Sequence, residues 1–468
     1  MTSSSGQGST FARRVTAVFS TNVVIFALAL LTTVVVSRIL GPQGKGAYVA
    51  VIALPGMLGA IGVFGLPGAI NYFSARGASV TGLLRASIVL ATVISVFTMA
   101  IVWALLPWLE QSVLRDAPDD MLRVIVFTVP ANTLSTFGAA ILYGRQRVRT
   151  YTSILVAQAV ATTVLSIALV GPLHFGVPGA VTASLVTIWL LAIAVVIAVW
   201  RLGGSSPPGD PVSYRPLTAY GLRFIPASIT GYFNYRIDTF LIQALMVGPA
   251  ALGQYSIAVT MAELVFYIPD SVTIIFLPRV AGASRQGADA MLPRVSRLTS
   301  LLTVGSAIAL IPVAWIGIHL VLPQYIACLP AFYVLLPAVV SLSLSKVMTS
   351  FISGRGRPGA VSVGATVTLV VNVAANVVLI PMYGIVGAAL ASLLSYSAMA
   401  AMMVVVACRL SHNSPLAVIV PGPAEVRLLI ATARRGAVAT RAIVARHGRP
   451  GAAGPPAASD AAASHERP

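Results

Sequence analysis

Residues 39–48 read "ILGPQGKGAY", and residues 246–255 read "MVGPAALGQY". Both stretches contain the pattern Gly-Pro-x-x-x-Gly-x-Tyr, and Gly41 in the first copy precedes Gly248 in the second by 207 residues. Proline cannot continue a preceding helix and glycine permits a tight turn, so each copy predicts a turn between two antiparallel helices. A turn alone does not require the same pattern twice, and the repetition therefore indicates two related halves.

Two further phrases recur at nearly the same spacing. "GRQR" at 144–147 matches "GRGR" at 354–357, and "GVPGAVTASL" at 176–185 matches "GIVGAALASL" at 384–393. Their offsets are 210 and 208 residues. Three matches in the same order at a nearly constant offset indicate that one unit has been duplicated.

The composition assigns both halves to a membrane. Of the 468 residues, 57% are hydrophobic and only 9% are charged, and the mean hydropathy is +0.91. Soluble chains carry about 25% charged residues, whereas the apolar runs here are long enough to cross about 30 Å of hydrocarbon as helices. The sequence predicts an all-α polytopic membrane protein with twelve transmembrane helices. The predicted spans are 15–37, 47–73, 82–108, 121–143, 151–170, 179–200, 218–247, 252–276, 298–322, 327–353, 360–381 and 387–408.

Each half contains six of these spans, and because six is an even number both halves insert in the same direction as parallel repeats, an architecture found in transporters. The predicted segments are a cytoplasmic N-terminus 1–14, a six-helix half 15–200, a cytoplasmic linker 201–217, a six-helix half 218–408, a basic amphipathic segment 409–447 and a disordered tail 448–468.

The basic residues predict the orientation. Lys and Arg near the ends of spans remain on the cytoplasmic side, and placing the N-terminus there assigns 24 of the 30 basic residues to the cytoplasm. Both termini are then cytoplasmic. The net charge of +18 is explained by topology and does not indicate nucleic-acid binding, because no soluble domain is predicted to present a basic face. The cations predicted to face outward are Arg38, Lys45, Arg115 and Arg123.

The basic amphipathic segment has its own predicted partner. Arg427, Arg434 and Arg441 recur every seven residues beside apolar positions. This pattern is typical of a helix that lies on an anionic leaflet, so anionic membrane lipids are the expected partner.

Ionisable residues inside spans are costly in hydrocarbon and commonly face a cavity or a charged partner. Arg236 precedes the centre of the second turn by as many residues as Glu263 follows it, so the two are expected at equal depth on adjacent helices. They form either a structural ion pair or a contact with substrate or ion. Arg236 and Asp238 point about 200° apart on a helix, so both are expected to face a cavity only if the helix is unwound. Asp270 and Lys346 complete the set.

Amides inside spans are a second group of candidates. Asn234 shares a helix face with Asp238, and Asn376 shares one with Asn372. Hydrogen bonding between helices is the simpler interpretation of such residues, and recognition of a sugar is the alternative.

Two long stretches resemble a known family. "SRILGPQGKGAYVAVIALPGMLGAIGVFGLPGAINYFSARG" at 37–77 and "YFNYRIDTFLIQALMVGPAALGQYSIA" at 232–258 resemble bacterial oligosaccharide flippases. These form the polysaccharide transport branch of the multidrug/oligosaccharidyl-lipid/polysaccharide exporter superfamily. The resemblance implies two six-helix lobes that form a V around a central cavity. It also implies translocation of an undecaprenyl-diphosphate-linked oligosaccharide between the leaflets of the plasma membrane.

A cavity for that substrate needs cations for the diphosphate and amides for the sugar, and a coupled transporter needs acids that bind sodium or protons. No cofactor and no metal site are expected, and no enzyme motif or large polar catalytic loop is found in the sequence. The alternatives are a multidrug cation exporter of the same superfamily, which an acid-rich cavity would favour, and a non-transporting membrane scaffold, which a cavity without charges would favour. The predicted substrate-binding residues are Arg236, Lys346, Asn234, Asn22 and Asn376, and the predicted ion-coupling residues are Asp238, Glu263 and Asp270.

Overall fold

The computed structural model describes the backbone of part of the chain, and within this part the regular secondary structure is helical, which confirms the predicted all-α class. The described backbone comprises residues 4–63, 65–112, 119–204, 212–222, 225–246, 248–420, 422 and 425. Side chains are described for these residues except 4–23, 55, 57–62, 108–112, 119, 220, 225–229 and 235.

The described helices are numbered α1 to α16 in chain order, and two 3-10 helices lie between them. The α-helices are α1 Ser4–Gly62, α2 Leu66–Ala75, α3 Val80–Ser112, α4 Asp119–Ile125, α5 Thr128–Gly144, α6 Val148–Val170, α7 Gly176–Gly204, α8 Tyr214–Leu222, α9 Ile225–Leu245, α10 Pro249–Ala262, α11 Tyr267–Gly282, α12 Arg285–Val321, α13 Leu329–Gly354, α14 Pro358–Tyr383, α15 Ile385–Ser411 and α16 Pro415–Ile419. The 3-10 helices are Glu263–Phe266 and Pro323–Cys328.

Ten helical segments of the described chain are long and apolar enough to cross a membrane, which confirms the polytopic membrane class. The two other predicted spans, 47–73 and 218–247, correspond to the end of α1 with α2 and to the end of α8 with α9. The described residues of all twelve predicted spans are thus mainly helical, while the number of twelve crossings stays a prediction.

Three predicted spans are interrupted, although the sequence predicted continuous helices. The interruptions separate α1 from α2, α4 from α5, and α10 from α11. Pro67, Pro130 and Pro269 follow the respective break, and each lacks the N–H group that would bond to the carbonyl four residues earlier. The missing hydrogen bond weakens the helix at each of these places. The interrupted spans are 47–73, 121–143 and 252–276.

The repeated phrases have matching backbone conformations in the two halves. At three pairs of equivalent positions the φ angle is positive in both copies, a conformation that favours glycine. The shared geometry supports the inference that the halves arose by duplication. The pairs, with their φ angles, are Gly41 (67°) with Gly248 (89°), Gln146 (56°) with Gly356 (76°), and Gly176 (56°) with Gly384 (59°).

Helix α1 reverses direction at Gly41, as the first repeated phrase predicts. Before this residue, the ring of Phe26 lies 4.8 Å from the ring of Tyr267 in α11. After it, Ala53 accepts a hydrogen bond of 3.3 Å from the Tyr232 hydroxyl in α9. Both arms of α1 therefore extend from Gly41 in the same direction, one beside α11 and the other beside α9. Helix α1 thus forms a hairpin.

The two hairpins pack on each other through a reciprocal glycine contact. A Cβ atom on Gly46 would lie 1.6 Å from the carbonyl oxygen of Pro249, and one on Gly253 would lie 2.0 Å from that of Pro42. Only glycine at both positions permits this approach of the backbones. We call the end of the bundle that carries both turns the Gly-Pro end, and the end that carries the turns 145–147 and 355–357 the arginine end.

The 3-10 helix Pro323–Cys328 also ties the halves together at the Gly-Pro end. The buried Tyr325 hydroxyl donates to the Ser37 carbonyl at 3.1 Å, and Gln324 donates to the Arg38 carbonyl at 2.9 Å. Gln254 of α10 donates to the Gln324 carbonyl at 2.8 Å. These bonds hold the Gly-Pro end closed in this structure.

Part of the predicted organisation falls outside the described residues. This applies to 426–468, which includes the basic stripe and the predicted disordered tail, and to the side chain of Asn22. The predicted linker 201–217 contains the start of α8, and the segment boundaries stay predictions. The beginning of the predicted amphipathic segment packs on α12, where Glu425 lies 3.1 Å from Arg297.

Candidate functional site

A cavity of about 400 Å³ lies between α1 and the C-terminal half, below the closed Gly-Pro end. The N-terminal half contributes only residues of α1 to its described lining, and the C-terminal half contributes α9, α10, the following 3-10 helix, α13 and α15. The lining residues are Lys45, Val49, Ile52, Ala53, Gly56, Tyr232, Arg236, Asp238, Thr239, Leu252, Tyr255, Ser256, Val259, Thr260, Ala262, Glu263, Phe266, Leu335, Val339, Ser392 and Tyr396.

Arg236 and Glu263 face each other across this cavity, which confirms that they lie at equal depth. The guanidinium Nη1 atom is 3.9 Å from the carboxylate Oε1 atom, and the two side chains are 48% and 33% exposed. Glu263 begins the 3-10 helix that interrupts the span. The distance is the longest of the ion pairs between described side chains. The guanidinium is thus loosely paired and open to the cavity.

Asp238 also lines the cavity, and the expectation that this requires an unwound helix is wrong. Helix α9 continues from Ile225 to Leu245 through both residues. The side chains still have different partners, since Arg236 reaches Glu263 while Asp238 accepts hydrogen bonds from α10, α14 and α15. Both residues line the cavity from a continuous helix.

The carboxylate of Asp238 is buried among three hydrogen-bond donors from three helices. Its Oδ2 atom accepts bonds from the Tyr255 hydroxyl at 2.8 Å and the Ser392 hydroxyl at 2.7 Å. Its Oδ1 atom accepts a bond of 2.8 Å from the Asn376 amide, which also donates to Asn372. The Asn376 carbonyl oxygen has no partner among the described residues. Asp238 thus joins α10, α14 and α15 to α9 and lies beside an unused oxygen.

The predicted amide residues lie behind the described cavity wall. Asn376 is fully buried against Asp238, and Asn234 donates to the Ala365 carbonyl of α14 at 3.0 Å. Asn234 and Asp238 therefore share the face of α9 that packs on α14, as their spacing predicts. Both amides bond between helices in this structure, and their role in sugar binding stays a prediction.

Lys346 and Asp270 form a second ion pair, nearer the arginine end. The ammonium nitrogen lies 2.7 Å from the Asp270 carboxylate and 4.0 Å from the centre of the Phe266 ring. Asp270 is 54% exposed. Neither residue is part of the described cavity lining. Phe266 is part of that lining and also contacts Lys346. The sequence identified both residues but not their pairing.

The structure adds Lys45, which sequence reasoning placed on the outer side, in the turn between the first two spans. The residue lies in the helix that follows the turn, where it is only 8% exposed and lines the cavity. Pro42 starts a new helix directly after the turn, so the residue belongs to the first helical turn and not to a loop. The aromatic ring of Tyr48, three residues later, lies 5.2 Å from the ammonium. This aromatic neighbour was the feature of the sequence that could have identified Lys45 as a candidate.

The chain is similar to proteins named as flippases and transporters. A protein of Haloferax volcanii named "Probable low-salt glycan biosynthesis flippase Agl15" is 24% identical over 392 residues, which cover 81% of this chain and 79% of that protein. The structure of the lipid II flippase MurJ in an inward closed conformation superimposes with a TM-score of 0.70 at 12% identity and covers 83% of this chain and 87% of MurJ.

An inward-facing multidrug resistance MATE family transporter of the MOP superfamily has the same fold, with a TM-score of 0.61 at 16% identity over 83% of this chain and 95% of that one. These structures confirm the all-α polytopic fold class, while the V shape implied by the resemblance stays a prediction. Residues 11–276, more than half of the chain, match a family described as polysaccharide biosynthesis protein. The chain therefore belongs to the polysaccharide biosynthesis protein family.

Proposed function

We propose that the protein is a flippase that moves an undecaprenyl-diphosphate-linked oligosaccharide across the plasma membrane by alternating access, during synthesis of a surface polysaccharide. The observation that carries this proposal is the cavity between the halves, with a partly exposed arginine at mid-depth. The family of the chain and the flippase among its relatives support it.

Arg236 is the proposed contact for the diphosphate. A planar guanidinium binds two phosphate oxygens at once, which an ammonium does less well. Its pairing with Glu263 is long, at 3.9 Å, and about half of the side chain is exposed. The remaining N–H groups can therefore bind an anion that enters the cavity while Glu263 compensates the charge in its absence.

The size of the cavity limits what it can hold in this state. About 400 Å³ lies near the lower end of the range for small-ligand sites. This volume suits the diphosphate with its first sugar, while the remaining sugars and the lipid need a wider opening. We infer that the remaining sugars and the lipid lie outside the cavity, toward the arginine end and the bilayer. If the halves separate further, these parts of the substrate can contact the other predicted substrate-binding residues, Asn234, Asn376, Lys346 and Asn22.

Asp238 is the proposed site of ion coupling. Its carboxylate and the unused oxygen of Asn376 are hard oxygen ligands, which suit a sodium ion or retain a proton. Ion binding there would alter the hydrogen bonds that link α9 to α10, α14 and α15. Glu263 and Asp270 are also proposed to take part in ion coupling. Each pairs with a basic side chain, Arg236 or Lys346, that the anionic substrate can bind in its place.

Export of cationic drugs is the competing function, and the acids in the cavity are the observation in its favour. Asp238 accepts three hydrogen bonds and Glu263 is paired with Arg236, so both carboxylates already have partners. The described lining contains two bases and two acids, which a scaffold without transport would not need. Lys45, by contrast, takes part in no ion pair between described side chains, and this unbalanced cation favours an anionic substrate.

An exchange of charges tests the role of Arg236. We expect Arg236→Ala to abolish flipping in proteoliposomes and Arg236→Lys to reduce it by roughly tenfold or more, because the bidentate contact is lost. The double variant Arg236→Glu with Glu263→Arg should remain inactive but folded. If that exchange restores flipping, the pair is structural and the assignment to the substrate is wrong. The same exchange in the pair of Arg297 and Glu425 should preserve flipping, because that pair lies outside the cavity lining.

Labelling with membrane-impermeant thiol reagents tests the proposed orientation, with both termini in the cytoplasm. A cysteine at Gln286, beside the turn before α12, should react only from the cytoplasmic side. A cysteine at Leu173, in the turn between α6 and α7, should react only from outside. Both positions are exposed, so access to the thiol depends on the side of the membrane. Labelling of the two positions from the same side would contradict the topology.

A further inference from the structure

Lys45 is a buried cation without a carboxylate partner among the described residues. It is 8% exposed, and it does not take part in any ion pair between described side chains. Its described neighbour is the ring of Tyr48, at 5.2 Å from the ammonium nitrogen. A cation–π contact at this distance contributes less than the cost of removing an ammonium from water. The site therefore stabilises an anion that comes close to the ammonium.

The position of Lys45 gives this anion a place in the cavity. The residue lies four positions after Gly41, whereas Arg236 lies twelve positions before Gly248. The glycine contact keeps the two turns level, and at 1.5 Å per residue Lys45 is roughly 12 Å nearer the Gly-Pro end than Arg236. The backbone positions therefore place the two basic residues at two successive levels along the cavity.

The charges around the two positions also differ. Arg236 faces Glu263, which offsets its charge when the cavity is empty. The side chain of Lys45 lacks such a described counter-charge, and the first turn of its helix presents backbone N–H groups that further favour an anion. An anion that has entered the cavity is therefore stabilised more by Lys45, whose charge is not offset, than by Arg236.

We propose that Lys45 forms a second anion subsite, at the closed end of the cavity, which binds a phosphate-type group. The inference rests on the proposed function, in which the diphosphate of the lipid crosses this cavity. Lys45 would bind that group on the side of the closed Gly-Pro end, and Arg236 would bind it at mid-depth.

The test is a thermal titration of the purified protein with two probes, inorganic pyrophosphate and farnesyl diphosphate. We expect the Tm of the wild type to rise saturably. The Lys45→Met variant should need about tenfold or more ligand for the same shift, because a charged contact is lost, while Lys45→Arg should stay within about threefold. Arg123→Gln, which removes an exposed cation outside the cavity, should match the wild type. A response to both probes assigns the subsite to diphosphates in general, and a response to farnesyl diphosphate alone assigns it to a lipid headgroup.

The stability of the variant without ligand separates an anion subsite from a structural role. If Lys45 serves to bind an anion, Lys45→Met without ligand should be at least as stable as the wild type, because the substitution removes an unpaired buried charge. A Tm several degrees lower, a wild type that responds to neither probe, or a Lys45→Met variant that binds like the wild type would each overturn the subsite. A flipping assay separates this proposal from the function, since a subsite that binds diphosphate in a protein that does not flip lipid contradicts only the function.

Discussion

Replacing Gly46 by leucine is expected to abolish transport while leaving each half of the protein folded. Even the Cβ atom of such a side chain would lie 1.6 Å from the carbonyl oxygen of Pro249, so the two hairpins cannot meet at the Gly-Pro end. Overpacking of a helix contact costs about 1–3 kcal/mol when neighbours can adjust, and here the obstacle is backbone. The protein should therefore be confined to states in which this end is open.

The measurement combines flipping in proteoliposomes with thiol labelling inside the cavity. Leu252 is 2% exposed and lines the cavity beside the contact, so a cysteine at this position should react slowly from outside in the parent protein. It should react rapidly when Gly46→Leu, or the milder Gly46→Ala, is added. Gly253→Ala should have the same effect, because its Cβ atom would lie 2.0 Å from the Pro42 carbonyl oxygen.

Gly305→Leu is the matched control. A Cβ atom on this glycine of α12 meets no other atom within 4 Å, so the larger side chain enters open space. Flipping and thiol labelling should stay at the level of the parent. If Gly46→Leu flips lipid at the parental rate, or the cavity cysteine stays unreactive, closure of the Gly-Pro end through the glycine contact is not part of the transport cycle.

Asp238→Asn is expected to eliminate ion-coupled transport. The change keeps the size of the side chain but removes the charge that a sodium ion or proton would neutralise. Coupling to one elementary charge provides about 2.3 kcal/mol per 100 mV, a factor of about fifty in the gradient that transport can sustain. We expect flipping of a fluorescent lipid diphosphate to lose its response to sodium and pH gradients, each applied in turn.

Ser392→Ala separates the charge from the hydrogen bonds. This variant removes one donor to Asp238 but leaves the carboxylate with its bonds from Tyr255 and Asn376. A hydrogen bond to a charged group contributes about 1.5–3 kcal/mol, so a measurable loss of stability with preserved ion dependence is expected. An Asp238→Asn variant that retains the ion dependence of the wild type would move the coupling site to another residue.

The candidate site was predictable where it depends on depth along a helix. Counting residues from the second turn placed Arg236 and Glu263 at one level, because an α-helix rises by a constant amount per residue. The same count could not show how each helix is rotated about its axis. For this reason the sequence did not identify Tyr255 and Ser392 as partners of Asp238.

The sequence by itself determined the all-α membrane class, the helical segments and the repeated turns. These features depend on local chemistry, namely the length of apolar runs and the backbone preferences of glycine and proline. The match between Gly41 and Gly248 could therefore be inferred without any knowledge of contacts.

Only the tertiary structure decided which of these segments meet. Gly46 and Gly253 are more than 200 residues apart in the chain, and their contact exists because two hairpins approach each other face to face. Lys45, in the same hairpin, is buried, which its sequence neighbours alone did not predict. Burial and pairing depend on the position and rotation of distant helices, and a single chain sequence constrains these only weakly.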